Sequence, residues 1–315
     1  MELKGIKKIA VLGTGTMGPG IAQACAQGGY SVWMQDLTDE LVERGLNSIK
    51  SNLQAYVENG LIKEGDDKRI LARIKGVTAL EEAAGDADFA IEAIPENLEL
   101  KKGAFSKLDK ICPKNSILAS NTSGLSITQM GSATSRPERV VGTHFWNPPH
   151  LIPLVEIVRG EKTSEETIRV AAELMKALGK KPVIVNQEVP GFVGTRLHQA
   201  LIREAFYIVE QGIASMEDVD TVVKTSFGRR LAVTGPFETC DLGGLDTFLA
   251  AAEVWKDLCN TGEPPRLMVE KVEKGELGAK TGEGLYHWDP ESIANIKKAR
   301  EQELIYYLKK QMGIL

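Results

Sequence analysis

The sequence predicts an α/β protein: a doubly wound parallel sheet followed by an all-α C-terminal domain. Three observations carry this. A glycine-rich turn follows the first apolar run, short apolar runs alternate with helical periods up to about residue 188, and beyond 189 only helical periods of any length remain. The expected domains are 1–188, a dinucleotide-binding domain, and 189–315, a helical domain for substrate closure and dimerisation.

Lys8-Ile-Ala-Val-Leu12 reads as a buried parallel strand and leads into Gly13-Thr-Gly15-Thr-Met-Gly18, the G-x-G-x-x-G spacing. Gly13 makes the tight turn, Gly15 lets the backbone approach a pyrophosphate, and Gly18 permits close helix-to-strand packing. A helix over residues 17–27 aims its first amides at the phosphates, with Thr16 and Met17 in the same turn as further contacts. A second strand, 32–35, ends at Asp36, about twenty residues beyond the glycines, where a carboxylate accepts from the adenosine ribose hydroxyls and repels a 2′-phosphate. Together these make a Rossmann-type site and imply NAD rather than NADP.

A helix over 41–56 and a shorter return arm over 69–74 predict a helical hairpin. Strands follow at 76–78, 88–94, 116–120 and 139–143. The third of these opens into Asn121-Thr-Ser123-Gly124, small polar residues at the carboxyl end of a strand, where open α/β sheets bind ligands. Ser126 caps the next helix, which leaves Ser123 to face a ligand. Ser164 caps a helix to 178, a strand returns at 182–185, and the pattern changes at Val189-Pro-Gly191. Helices are expected over 192–211, after Ser215, and over 290–308.

With 315 residues, 43% apolar and 26% charged, the chain can build two cores. A formal net charge of −5 without blocks of like charge argues against nucleic acid or an anionic membrane as partner, and no apolar run reaches bilayer length. The N-terminus lacks a signal peptide's apolar core, so a cytoplasmic location is expected. Cys25, Cys112, Cys240 and Cys259 form no C-x-x-C pair, so neither a metal site nor a disulfide framework is expected. Leu197, Leu201, Ile202, Phe206 and Val209 recur at helical spacing, more apolar surface than a body of about 125 residues hides alone, which implies a homodimer besides a small-molecule substrate.

The stretch from Val141 to Pro149 sets His144 on the exit of a strand and stops the chain with two prolines. His144 is the candidate general base. Glu156 interrupts the apolar run Leu154–Val158, and a carboxylate buried there needs a partner to offset its desolvation. Paired with His144 it would fix the ring's tautomer and raise its basicity, as removal of a hydroxyl proton requires. The competing reading of Glu156 is an exposed edge-strand position. His150, His198 and His287 read as packing or surface residues.

These segments together resemble the 3-hydroxyacyl-CoA dehydrogenase family over essentially the whole chain. The resemblance rests on the glycine fingerprint with Asp36, Glu92-Ala-Ile-Pro-Glu96-Asn97, Ser120-Asn-Thr-Ser123, His144-Phe-Trp-Asn-Pro148, Val189-Pro-Gly-Phe-Val193 and Lys280-Thr-Gly-Glu-Gly-Leu-Tyr286. It implies two domains, a dimerising helical C-terminal domain and NAD-linked oxidation of a 3-hydroxy group to a ketone. His144 matches the family's base, Glu156 its carboxylate and Ser123 the hydroxyl that holds the substrate oxygen. Glu96, Lys101 and Asn147 match positions near the nicotinamide end of the cofactor, with Asn121 as a further cofactor contact.

Two departures stand out. The family's Phe-Val-x-Asn-Arg pattern reads Phe192-Val-Gly-Thr195-Arg196 here, and Thr195 is shorter and lacks the amide. Acyl-CoA members present lysine in the helical hairpin where this chain resembles them with Ala55 and Asn59, a loss that argues against a polyphosphate handle on the substrate. Both departures, with the 147–153 segment, resemble a branch that acts on free hydroxy compounds such as carnitine, gulonate and pyridine derivatives. The leading expectation is a short (S)-3-hydroxyacyl-CoA such as 3-hydroxybutyryl-CoA. The alternatives are a small non-CoA hydroxy acid or amino alcohol and, from another class, an NAD-binding protein without catalysis.

Overall fold

The computed structural model describes residues 5–315. Eight strands form one sheet: β1 (Lys8–Leu12), β2 (Ser31–Gln35), β3 (Ile74–Val77), β4 (Phe89–Glu92), β5 (Ile117–Ser120), β6 (Val140–Phe145), β7 (Leu154–Val158) and β8 (Lys181–Val185). Their order across the sheet is 3-2-1-4-5-6-7-8. The chain direction of winding reverses between β1 and β4, the switch point at which such sheets bind ligands. The interleaved helices are α1 (Gly18–Gln27), α2 (Asp39–Glu58), α3 (Asp66–Leu71), α4 (Leu80–Ala84), α5 (Leu98–Ile111), α6 (Ile127–Ser132) and α7 (Glu165–Ala177). After β8 come α8 (Gly194–Glu210), α9 (Met216–Thr225), α10 (Phe227–Arg230), α11 (Pro236–Gly243), α12 (Leu245–Ala251), α13 (Arg266–Glu273) and α14 (Pro290–Gln311).

The period of two along each strand divides the apolar side chains between two cores, because both sheet faces are covered by helices. Ile9, Val11, Phe89, Ile91, Val141 and Phe145 pack with α1 and α7, whereas Ala10, Leu12, Ala90, Leu118 and Val140 pack with α5 and α6. Helix starts follow the expected capping: Ser126 Oγ accepts from Gln129 N at 3.1 Å and Ser164 Oγ from Thr167 N at 3.2 Å.

The expected parallel sheet has one antiparallel pair. β7 runs antiparallel to β6, pairing His144 directly with Glu156, and β8 runs parallel to β7. The short connection Trp146–Pro153 is the physical reason, since a parallel return needs a crossover of a dozen residues or more. The hairpin's return arm is Asp66–Leu71, with Ile74 already in β3, and α4 has only five residues, too short to show a helical period in sequence.

Two compact units are present, one comprising the chain up to Thr195 with Arg300–Leu315, the other Arg196–Ala299. Val193 N and Gly194 N both donate to Glu156 at 3.0 Å, which ties the start of α8 to the sheet. Ile305 of α14 is buried with Tyr56, Leu61 and Leu151, which ties the tail there too. Within the second unit no helix from α9 to α13 buries a side chain fully, and Phe237 and Trp255 are 87% and 72% exposed. Among the described residues no helix is long and apolar enough to cross a membrane, no cluster suits a metal ion, and the four cysteines are free.

Candidate active site

At the β1–α1 turn each glycine has a different constraint. Gly13 has φ +95°, and a Cβ on it would lie 2.6 Å from the Ala93 carbonyl oxygen, while one on Gly18 would overlap the Gly13 carbonyl. A Cβ on Gly15 would meet nothing within 4 Å: that backbone faces open space, and it is exposed together with Thr16. No side chain caps α1, whose N-cap is Met17, so its first amides remain available to an anion. The residues therefore fit a dinucleotide pyrophosphate.

Asp36, at the tip of β2, is bound to the glycine turn. Its Oδ2 accepts from Thr14 N and Thr14 Oγ1, both at 2.7 Å, and its Oδ1 accepts from Leu37 N at 2.7 Å. Partial burial would raise its carboxyl, but these hydrogen bonds and the charge of Arg44 outweigh it and hold the group below the usual carboxylate range. The acid and the glycine turn are thus one hydrogen-bonded unit.

The antiparallel register brings His144 Nδ1 within 2.8 Å of Glu156 Oε2. Both side chains are buried, at 6% and 1% exposure, which excludes the exposed-edge reading of Glu156. Trp146 Nε1 also donates to Oε2 at 3.2 Å, and Oε1 takes the Val193 and Gly194 amides. Burial alone would raise this carboxyl, yet the donors from His144, Gly194, Val193 and Trp146 bring it down to about 2. The ionised Glu156 assigns the proton of His144 to Nδ1 and leaves Nε2 as the basic nitrogen. Phe192 stands edge-on to the His144 ring at 5.8 Å, held with φ 48°, a conformation that costs a bulky residue about 1–3 kcal/mol and that clusters at functional sites.

The β5 end lies beside β6 in register, Ser120 against Gly142. Asn121 Oδ1 accepts from Phe145 N at 2.8 Å, joining the two strand ends. Ser123 is exposed with its backbone N donating to Glu96 Oε1 at 2.9 Å, and Thr122 Oγ1 donates to the same oxygen at 2.6 Å. Burial would raise Glu96, but these donors and Lys101 lower it. Asn147 is exposed on the loop after β6, and Thr195 is half-buried in the first turn of α8.

Lys101 lies behind Glu96, inside the protein. It is 1% exposed, and its ammonium donates to Glu92 Oε1 at 2.6 Å and the Ile94 carbonyl at 3.2 Å and pairs with Glu96 Oε2 at 3.2 Å. Three donors meet three acceptors, so Lys101 sits behind Glu96 and fixes it. Glu92, whose partners the sequence left unread, is fully buried and also accepts from Ser120 Oγ at 2.6 Å. A carboxylate ending an apolar strand nine residues before a lysine was the available signal. Lys101→Met should cost about 3–5 kcal/mol by leaving a buried carboxylate without its cation, seen as a lower urea midpoint that Glu92→Gln in the same chain partly restores.

Two family models match this chain: 3-hydroxyacyl-CoA dehydrogenase, NAD binding domain, over residues 8–189, and 3-hydroxyacyl-CoA dehydrogenase, C-terminal domain, over residues 191–288. The 5-formyl-3-hydroxy-2-methylpyridine 4-carboxylate 5-dehydrogenase of Mesorhizobium japonicum is 35% identical over 303 residues, 95% of this chain and 96% of its own. A solved structure of a 5-dehydrogenase of the same pyridine compound, described as an NAD+-dependent dismutase, is 35% identical and aligns with a TM-score of 0.90 over 98% of this chain and 99% of its own. The solved (S)-3-hydroxybutyryl-CoA dehydrogenase of Ralstonia eutropha is 40% identical, with a TM-score of 0.76 over 90% of this chain and 99% of its own. The chain therefore belongs to the 3-hydroxyacyl-CoA dehydrogenase family and is an NAD-dependent oxidoreductase of that type.

Proposed function

We propose that this chain oxidises a 3-hydroxy group to a ketone, with His144 as the base. The observation that carries it is the buried 2.8 Å contact between His144 Nδ1 and Glu156. Ser123 holds the substrate hydroxyl by its own side chain, and Nε2 of His144 takes the hydroxyl proton while Glu156 stabilises the resulting imidazolium. NAD, when bound, supplies the hydride acceptor. Gly13, Gly15, Thr16, Met17, Gly18 and Asp36 hold its adenosine and pyrophosphate part, Glu96 and Asn147 its other end, with Lys101 and Asn121 supporting from behind.

For the substrate we propose a short (S)-3-hydroxyacyl-CoA, in line with the 40% identity to the Ralstonia eutropha enzyme. A second reading, a small hydroxy compound without CoA, has its own support. The pyridine-acting relative aligns with a TM-score of 0.90, against 0.76 for the Ralstonia eutropha CoA enzyme. NAD reduction measured with 3-hydroxybutyryl-CoA against free hydroxy acids, amino alcohols and hydroxymethylpyridines decides between them. Turnover confined to CoA-free compounds removes the first reading, and NAD binding without turnover across the panel removes both. Thr195→Asn is expected to raise acyl-CoA turnover if thioesters are the substrates and to leave it at background otherwise.

The exposed apolar side chains of the second unit support a homodimer in the same proposal, checked by the mass in solution. Four unpaired thiols and the absence of a membrane-spanning helix among the described residues are consistent with a cytoplasmic setting.

A further inference from the structure

Behind α1 lies a buried lysine that the chemistry above does not use. Lys180, 8% exposed, sits between α7 and β8, and its ammonium donates to the carbonyls of Pro149 and, at 3.0 Å, of Ile152. Both belong to the loop that leaves β6 after His144 and carries Asn147. That loop has prolines at 148, 149 and 153, which have no N–H, so it has few donors of its own. Leu151 N and Ile152 N meet the Pro148 carbonyl from within the loop, and the donors from outside it are Lys180 at Pro149 and Ile152, Tyr56 Oη at His150 (2.7 Å), and Lys181 N at Pro153 (2.8 Å).

The held loop rests on the cofactor helix. A Cβ on Gly20, in the first turn of α1, would lie 3.0 Å from the Pro149 ring and 3.3 Å from His150 Nδ1. The other end of α1 meets the Lys180 segment directly: a Cβ on Gly28 would lie 2.5 Å from Leu178. Burying an ammonium is costly, and an apolar side chain would fill the same space without that penalty. The cost is intelligible if the two carbonyls need a donor. The surroundings are arranged to bear it: burial holds His150 down to about 4, so no second cation forms beside Lys180, and burial lowers Lys180 itself to about 8.

We propose that Lys180 is a positioning residue for cofactor binding: by holding the Pro149 and Ile152 carbonyls it seats the Asn147–Pro153 loop on the first turn of α1. The inference rests on the assignment of α1 and Asn147 to NAD. Loss of the donor frees the loop from α1 but leaves the His144–Glu156 pair intact, so the effect falls on NAD affinity rather than on the chemical step.

Calorimetric titration of the full-length protein with NAD tests this. In Lys180→Met the NAD dissociation constant should rise about tenfold, kcat at saturating NAD should stay within about twofold, and Lys180→Arg should recover most of the affinity. A folded Lys180→Met protein with parental NAD affinity, even one that melts earlier, overturns the proposal. If Lys180→Met does not fold, Gly20→Ala decides. Alanine favours the helix itself, so weakened NAD binding there reports displacement of the loop, and unchanged binding overturns the proposal. Should the parent protein fail to bind NAD, the cofactor assignment falls first and this inference with it.

Discussion

His144→Gln should lower kcat by about 10²- to 10⁴-fold while the NAD dissociation constant stays within about twofold. Glutamine fills much of the same volume and can still donate to Glu156, but it has no nitrogen that accepts a proton in the working range. The side chain it replaces is buried on β6, whereas the dinucleotide turn lies at β1 and α1, so binding and chemistry separate. Single-turnover measurement with saturating NAD, beside direct titration of NAD, checks both halves. Near-parental turnover would end the assignment of His144 as base. A parallel loss of NAD affinity would make it a structural residue.

Glu156→Gln should be nearly as damaging, by about 10²- to 10⁴-fold in kcat, through a different route. The carboxylate accepts four donors, from His144, Trp146, Val193 and Gly194. An amide there can offer an oxygen to only one side. If its oxygen keeps the Val193 and Gly194 amides, its NH₂ faces Trp146 Nε1–H and forces Nδ1 of His144 to accept, which moves the ring proton to Nε2 and removes the base. The double variant His144→Gln/Glu156→Gln should be no slower than either single one, because the two act as a unit. Additive losses would separate them.

The same carboxylate gives an acid signature. Its folded value of about 2 lies below its ordinary 4.5, so between these values the unfolded chain binds the extra proton. The stabilisation is therefore complete above pH 4.5 and is lost as pH falls through about 2, on the order of 3 kcal/mol in all. Urea unfolding from pH 5 downward should show a steeper decline for the parent than for Glu156→Gln. Matching slopes would remove this role of the pair.

Much of this was legible from residue order. The glycine turn, Asp36 and the capping serines Ser126 and Ser164 are local features: each works through neighbours a few residues away or at a fixed spacing, and spacing is what a sequence displays. The candidate base could also be named, because a histidine at the end of an apolar strand is visible as such. Its partner was only half legible. An acid in an apolar run calls for a counter-group, but which one depends on strand direction, and the reversal at β7 is what sets Glu156 opposite His144.

Other features lay wholly in the tertiary structure. Lys101 turns inward to Glu92 and Glu96, and Asn121 Oδ1 accepts from Phe145 N. Residues 193 and 194 belong with the sheet because their amides complete the Glu156 carboxylate, and the tail after 300 because Ile305 is buried against Tyr56 and Leu151. The sequence alone determined the fold class, the cofactor and the candidate base, since these follow from periodicity and short-range spacing. The tertiary structure decided which charges face inward and which backbone amides hold the Glu156 carboxylate, because desolvation cost and hydrogen-bond geometry exist only once distant segments are packed together.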